Sequence, residues 1–229
     1  MRIVTLDTET TGIGETDEPV EIALVAVNGD AWHHGLVKPH VPCTVEARAT
    51  HHITDAMLEE APPLWFELQL GSKLCLWGSA IVVAAHNLAF DLRMLRQGGA
   101  AVPTGGICTW RCALHLFPDA PGHSNGVLRY HLGLEVPGLA ECGLPPHRAL
   151  PDALVTAALL RHMLETKTEQ ELLELTTTPV LLRTCRFGKH RGTAWAEIPR
   201  GYMEWILRQT GEAAFDADVR HTARHYLGT

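Results

Sequence analysis

The chain opens on an apolar run that ends in acid: Arg2-Ile3-Val4-Thr5-Leu6 leads directly into Asp7-Thr8-Glu9. On an extended strand, residues two apart project from one face, so Asp7 and Glu9 point the same way. The residues before them are apolar enough for a strand at the centre of a sheet. Two carboxylates side by side at the end of such a strand repel each other unless a cation lies between them. A fold that begins this way must bring compensating groups to the end of its first strand. A strand end with merely surface acids fits poorly with so apolar an approach.

Two later segments offer partners. His86-Asn87-Leu88-Ala89-Phe90-Asp91 follows a short continuous apolar run, residues 80–85, of the buried-strand kind. His147-Arg148-Ala149-Leu150-Pro151-Asp152 precedes an apolar helical stretch. Asp91 and Asp152 stand at or near helix starts, where the macrodipole favours an anion. Each alone reads as an ordinary helix-start carboxylate. With Asp7 and Glu9 they make four hard oxygen donors, suited to magnesium or manganese. Two such ions roughly 3.5–4 Å apart clamp the attacking and leaving oxygens of a phosphodiester displacement. Histidine is the usual proton acceptor near neutral pH, so His147 suits a general base. Without the acids it would read as a cap for the helix behind it.

The remaining pattern is that of an α/β sheet flanked by helices. Residues 19–27 read as the antiparallel neighbour of the first strand, and residues 32–37 close a meander through an Asn28-Gly29 turn. Short helices are expected from residue 54 and over residues 64–76. Gly105-Gly106 breaks the chain before a fifth strand at Ile107-Cys108-Thr109. A helix over residues 124–132 is capped by Ser124 or Asn125, and another spans residues 152–165, with Pro151 tolerated only in its first turn. This divides the chain into a catalytic domain (residues 1–166), a polar linker with one short helix (167–179) and a small α+β appendage (180–229). About fifty residues are marginal for independent stability, so the appendage should dock on the main body.

Net charge is −7, unevenly spread. Residues 180–229 carry eight Lys/Arg against five Asp/Glu, leaving eleven against twenty-one in residues 1–179. The tail is thus +3 and the body −10. Basic tails commonly serve nucleic acid; a solvated surface is the alternative. The Gly188-Lys189-His190-Arg191-Gly192 turn lacks the order of a P-loop and reads either as a charged hairpin or as a phosphate contact. Cys108, Cys112 and His115 have no second ligand pair at zinc spacing and read as a helix face. No apolar run of eighteen residues appears, so no membrane span is expected. The N-terminus reaches a charge too early for a signal peptide, and a cytoplasmic location is expected.

Asp-Thr-Glu-Thr-Thr-Gly (7–12), His-Asn-x-x-Phe-Asp (86–91) and His-x-x-x-x-Asp (147–152), in this order and spacing, resemble the three motifs of the DEDDh 3′–5′ exonucleases. The resemblance covers residues 1–165 and implies an RNase H-like fold, with an antiparallel meander plus parallel strands. It implies a 3′–5′ exodeoxyribonuclease releasing 5′-mononucleotides with two Mg²⁺ or Mn²⁺ ions per site, in DNA repair or end processing. Asp7, Glu9 and Asp152 would hold one ion; Asp7 would bridge to the second, which Asp91 reaches directly or through water. His147 would be the general base. Thr10, Thr11 and Gly12 would lie along the terminal nucleotide, Ile13 against the last bases, and His51, Asn87 and Phe90 beside the substrate, with Asn87 alternatively bracing its loop. The loop Ile13-Gly14-Glu15-Thr16-Asp17 is more acidic than expected beside DNA.

Pro19-Val20-Glu21-Ile22-Ala23, His51-His52-Ile53-Thr54 and Ile107-Cys108-Thr109 resemble further blocks of that family. Residues 184–192 and 201–206 resemble the short C-terminal segment of one exodeoxyribonuclease within it. Two rival readings stand beside this one. The first is a 3′–5′ RNA exonuclease. The second is a proofreading subunit that binds a polymerase or repair partner through residues 180–229.

Overall fold

The computed structural model describes residues 2–28, 32–73 and 81–229. β1 (Arg2–Thr10) pairs antiparallel with β2 (Pro19–Ala26), and β2 with β3 (Trp32–Leu36). Three helices follow: α1 (Val45–His51), α2 (Asp55–Leu58) and α3 (Leu64–Lys73). β4 (Ile81–Ala85) joins the other side of β1 in parallel, and after α4 (Leu88–Gln97) β5 (Ile107–Cys108) pairs parallel with β4. The sheet order is β3-β2-β1-β4-β5, so the acid-tipped first strand is central, as its apolar sequence requires. The expected mixed sheet is present. Gly29 of the expected turn, residues 74–76 of the third helix and Ala80 lie outside the described residues.

Strand alternation distributes β1 between two cores. Val4 and Leu6 pack with Leu88, Leu92 and Leu95 of α4 and Leu64 of α3 on one face. Ile3 and Thr5 face the other side, which is covered by α5 (Thr109–Leu116), α6 (Asn125–His131) and α7 (Ala149–Leu164). α7 is buried along nearly its whole length, as expected of a helix apolar all round. Its Ala149, Leu150, Ala153 and Leu154 lie on Ala23 and Val25 of β2. Thr5 donates its hydroxyl to the carbonyls of Val25 (3.2 Å) and Ala153 (3.0 Å), stitching strand to helix inside the core.

Two expectations need correction. The fifth strand stops at Cys108, whose amide donates to Thr176 Oγ1 (2.9 Å) of α8 (Glu169–Thr177) rather than to another strand. Thr109 already begins α5, its hydroxyl near the Ala85 carbonyl (3.3 Å). The helix expected from residue 152 begins instead at Ala149, because its first amide is accepted by the distant Glu21 carboxylate (2.9 Å). No local cap announces that start.

Within residues 167–179, α8 is closed by a capping box of Thr168 and Glu171, and its Leu172 is buried against α5. The C-terminal unit contains α9 (Arg200–Arg208) and α10 (Ala217–Leu227). Among the described residues the β part of the expected α+β appendage is a single bridge, Thr184 to Ala194. Its core, centred on fully buried Trp195, continues onto Trp110 and Leu114 of α5. No described helix is long and apolar enough to cross a membrane.

Candidate active site

β1 ends where the sheet face covered by α7 opens. Asp7 and Glu9 point to that face, and Asp152, in the first turn of α7, points back. The three carboxylates offer ligand atoms that all lie within 4.8 Å of one another. Asp91 belongs to the opposite layer. It sits in the first turn of α4, is buried, and accepts a hydrogen bond from Thr8 Oγ1 (2.9 Å), the residue between the two β1 acids. Three of the four acids thus form one group, and Asp91 is held beside it through β1 itself.

Crowding and burial shift these groups upward. Burial raises Asp7 far above the usual carboxylate range, and the charges of Asp91, Asp152 and Glu9 push it further. Burial and the nearby Asp152 lift Glu9 to about 8. Burial lifts Asp91 to about 7 despite the Thr8 bond, and burial raises Asp152 against the opposing influence of His147. Partly buried oxygen donors that resist ionising together are a set that a divalent cation satisfies. The donor chemistry fits magnesium or manganese.

Glu21 sits directly opposite Glu9 on β2, which would place like charges side by side. Burial alone would raise its pKa, but His34, the Arg148 guanidinium and the Ala149 amide hold it at about 2. Glu21 is therefore a fixed anion, occupied by Arg148. A register shift between Glu9 and Thr10 re-aims the chain just beyond the acids, as bulges beside functional sites do.

An open cleft of about 530 Å³ adjoins Glu9. Thr10, Gly12, Ile13, His51 and Phe90 all line it, along with Thr44, Ala47 and Thr50 of the α1 region. Ile13 is 81% exposed. Its loop is braced from α4, where Arg93 donates to the carbonyls of Gly14 (2.9 Å) and Ile13 (3.2 Å) and lies over the Phe90 ring. The buried His51 accepts the Ile53 amide at Nδ1 (2.9 Å), which leaves the proton on Nε2, a buried atom beside the main chain of Thr10. Thr11 does not line the cleft; its hydroxyl donates to Asp17 Oδ1 (2.7 Å). Asp17 also accepts the Gly14 amide (2.6 Å), so the acidity of this loop is partly spent on the loop's own shape.

Asn87 is exposed, in the left-handed region (φ 80°), and caps α4 without a side-chain hydrogen bond. His147 is exposed two residues before α7, also left-handed (φ 60°). With His52 (φ 59°), which follows His51, these are the non-glycine residues at positive φ among the described residues, and all three adjoin the site. His86 does not join it. Its nitrogens meet Thr109 Oγ1 (3.0 Å) and the His123 carbonyl (2.7 Å), and burial lowers it to about 4, so it braces the second motif as a neutral ring.

A family model described as "Exonuclease" matches residues 4–160. The chain belongs to the exonuclease family. This exonuclease is 34% identical over 233 residues to exodeoxyribonuclease 10 of Escherichia coli (strain K12), covering 97% of each chain. It superposes on exonuclease X in complex with 5′ overhanging duplex DNA with a TM-score of 0.63 at 34% identity, covering 76% of this chain and 99% of that one. The nuclease domain of 3′hExo, a DEDDh family member bound to rAMP, shares the fold (TM-score 0.58, 15% identity, 73% of this chain and 94% of that one). The exonuclease is thus a nuclease hydrolase of the DEDDh 3′–5′ type on an RNase H-like sheet.

Sequence reasoning missed Thr8, Glu21, Arg93 and Arg148. Glu21 had a signal: it is the one charged residue in an otherwise apolar strand, Pro19–Ala26. Arg148 had only its place beside His147.

Proposed function

We propose that this exonuclease removes nucleotides from the 3′ ends of DNA, releasing 5′-mononucleotides, with two Mg²⁺ or Mn²⁺ ions per site. The observation that carries the reading is the mutual approach of Asp7, Glu9 and Asp152 beside an open cleft. DNA as the substrate is supported by likeness along nearly the whole chain to a protein named as an exodeoxyribonuclease.

Asp7, Glu9 and Asp152 would hold one cation, and Asp91, held beside them through Thr8, would help to hold the other. Cations bound there would supply Lewis acidity toward water and neutralise charge on the phosphodiester. His147 takes the proton of the attacking water from its exposed position before α7. The terminal nucleotide enters the cleft, where its sugar meets the main chain of Thr10 and Gly12, and its bases lie against Ile13 and Phe90. His51 backs the wall of the cleft, its Nε2 buried beside the main chain of Thr10. Asn87 borders the entry.

The test uses 5′-labelled single- and double-stranded DNA and RNA side by side, with Mg²⁺ and then with EDTA. Stepwise shortening of DNA from the 3′ end with Mg²⁺ alone, abolished in Asp7→Asn and Asp152→Asn, is expected. Wild-type rates in either variant would overturn the ligand assignment, and preferential cleavage of RNA would overturn the substrate.

A further inference from the structure

The basic tail carries a face that this chemistry leaves unused. Gly188 and Gly192, at φ 58° and 87°, bound a tight turn between Cys185 and Thr193. Glycine is required at 188, since a Cβ there would stand 2.9 Å from the Tyr202 hydroxyl of α9. That close approach sets Lys189 Nζ 5.6 Å from the Tyr202 ring centroid and the His190 ring edge-on at 4.5 Å. Tyr202 stacks on Trp205, with centroids 5.2 Å apart and planes 29° apart, and Trp205 meets Phe215 edge-on at 5.6 Å. Trp205 is 41% exposed. Arg186 and Arg191 flank the turn, both exposed, and among the described residues neither enters an ion pair. Glu204, between the two α9 rings in sequence, is engaged by Arg200 (3.1 Å).

Lys189 over a ladder of rings whose Trp205 is open to solvent, with the exposed Arg186 and Arg191 close by in sequence, has the make-up of a strand-binding platform. The cations meet phosphates while an unpaired base stacks on the exposed indole. We propose that this face binds a single-stranded nucleic-acid segment, separately from the cleft beside Glu9. The charge distribution favours that occupant, because a polyanion is repelled by the −10 body and attracted to the +3 tail. The unit is also firmly docked. Arg111 of α5 holds Asp218 through both terminal nitrogens (2.7 and 2.9 Å), and Asp218 accepts the Val180 amide (2.8 Å). A strand held there stays tethered to the catalytic domain, which raises its local concentration.

The test measures fluorescence anisotropy of a labelled strand of about 20 nucleotides, longer than the ~4–16 that such folds cover, with the full chain in EDTA. EDTA stops hydrolysis and leaves the acidic cluster repelling phosphate, so the tail dominates binding. Wild type should bind with an affinity that falls as salt rises. The triple variant Arg186→Gln/Lys189→Gln/Arg191→Gln should lower the slope of log affinity against log salt by about 2. Trp205→Ala should weaken binding about five-fold or more, and Trp205→Phe should recover most of it. Far-UV circular dichroism establishes that each variant folds. Unchanged binding in the triple variant and in Trp205→Ala would overturn the proposal, as would equal affinity for blunt duplex. Tighter binding of polyglutamate than of the strand would assign the face to an acidic protein instead. Asp7→Asn should retain this binding, so loss of hydrolysis and loss of the platform are read apart.

Discussion

Arg148 and Glu21 form a bidentate ion pair, with Nε to Oε2 at 2.9 Å and Nη2 to Oε1 at 2.6 Å, that ties the residue after His147 to the strand opposite Glu9. The same carboxylate accepts the Ala149 amide, so one buried anion fixes both the start of α7 and the segment that presents His147. Asp152 lies three residues into that helix, and its aim toward Asp7 depends on where the helix begins.

Removing one partner of a buried pair leaves the other uncompensated, at a cost of about 3 kcal/mol or more. Arg148→Met should therefore lower the melting temperature by roughly 6–12 °C for a chain of this size. Glu21→Gln retains an oxygen acceptor for the Ala149 amide and should cost less. In both variants kcat should fall more than KM rises, since the pair positions Asp152 and His147 and does not line the cleft. Thermal melts and steady-state kinetics of the two variants check this, and equal melting temperatures for Arg148→Met and wild type would remove the clamp from the account.

The pair also marks where the sequence stops being legible. The three acidic motifs, the central strand and the meander follow from local patterns: apolar runs, alternation by two, and carboxylates at helix starts. The candidate ligand group Asp7, Glu9 and Asp152 could be read that way because its residues sit in two conspicuous segments, the end of β1 and the start of α7. What could not be read are groups defined only by contact across the fold. Glu21 and Arg148 are 127 residues apart. Arg93 braces the Ile13 loop from 80 residues away. The early start of α7 and the short β5 have the same origin, since each terminus is satisfied by a distant side chain, Glu21 or Thr176, in place of a local cap.

The raised carboxylates make stability depend on pH in a defined direction. In the unfolded chain Asp and Glu titrate near 4, whereas Glu9 is lifted to about 8 and Asp91 to about 7 in the fold. The folded state thus binds protons more tightly than the unfolded one. That contribution is fully present below about pH 4 and is lost as pH rises through 7 to 8. In EDTA the melting temperature should fall across this window, and less steeply in Glu9→Gln, which removes one of the two raised groups. Millimolar Mg²⁺ or Mn²⁺ should raise it, and more at pH 8 than at pH 6, because protons and cations compete for the same oxygens. Melts across pH with and without metal test the point; a metal-induced shift that is larger at pH 6 would contradict it.

His147 is exposed and lies outside the helix, so its removal should leave the fold intact. Loss of a general base typically costs about 10²–10⁴-fold in rate. His147→Ala should lose activity on that scale through kcat, while its melting temperature and its gain in stability with Mg²⁺ stay close to wild type. The pairing of these outcomes separates a proton acceptor from a metal ligand: Asp152→Asn should lose both activity and the metal-induced shift. Kinetics and melts on the two variants in parallel decide between the roles.

Ile13 presents a test of the cleft that stability does not confound. It is a large aliphatic side chain left 81% exposed at the end of a loop that Arg93 holds in place. Because it is already in water, Ile13→Ala should change folding stability by no more than about 0.5 kcal/mol. If the side chain is covered by the last bases of the strand, truncation forfeits apolar burial of about 1–1.5 kcal/mol on binding. That corresponds to a KM for DNA raised about five- to ten-fold, with kcat little altered. Ile13→Asp should raise KM further, since the added carboxylate faces phosphates beside an already acidic loop. An Ile13→Ala variant with wild-type KM would show that the bases do not rest on this side chain, and would move the substrate toward the α1 wall of the cleft, at Thr44, Ala47 and Thr50.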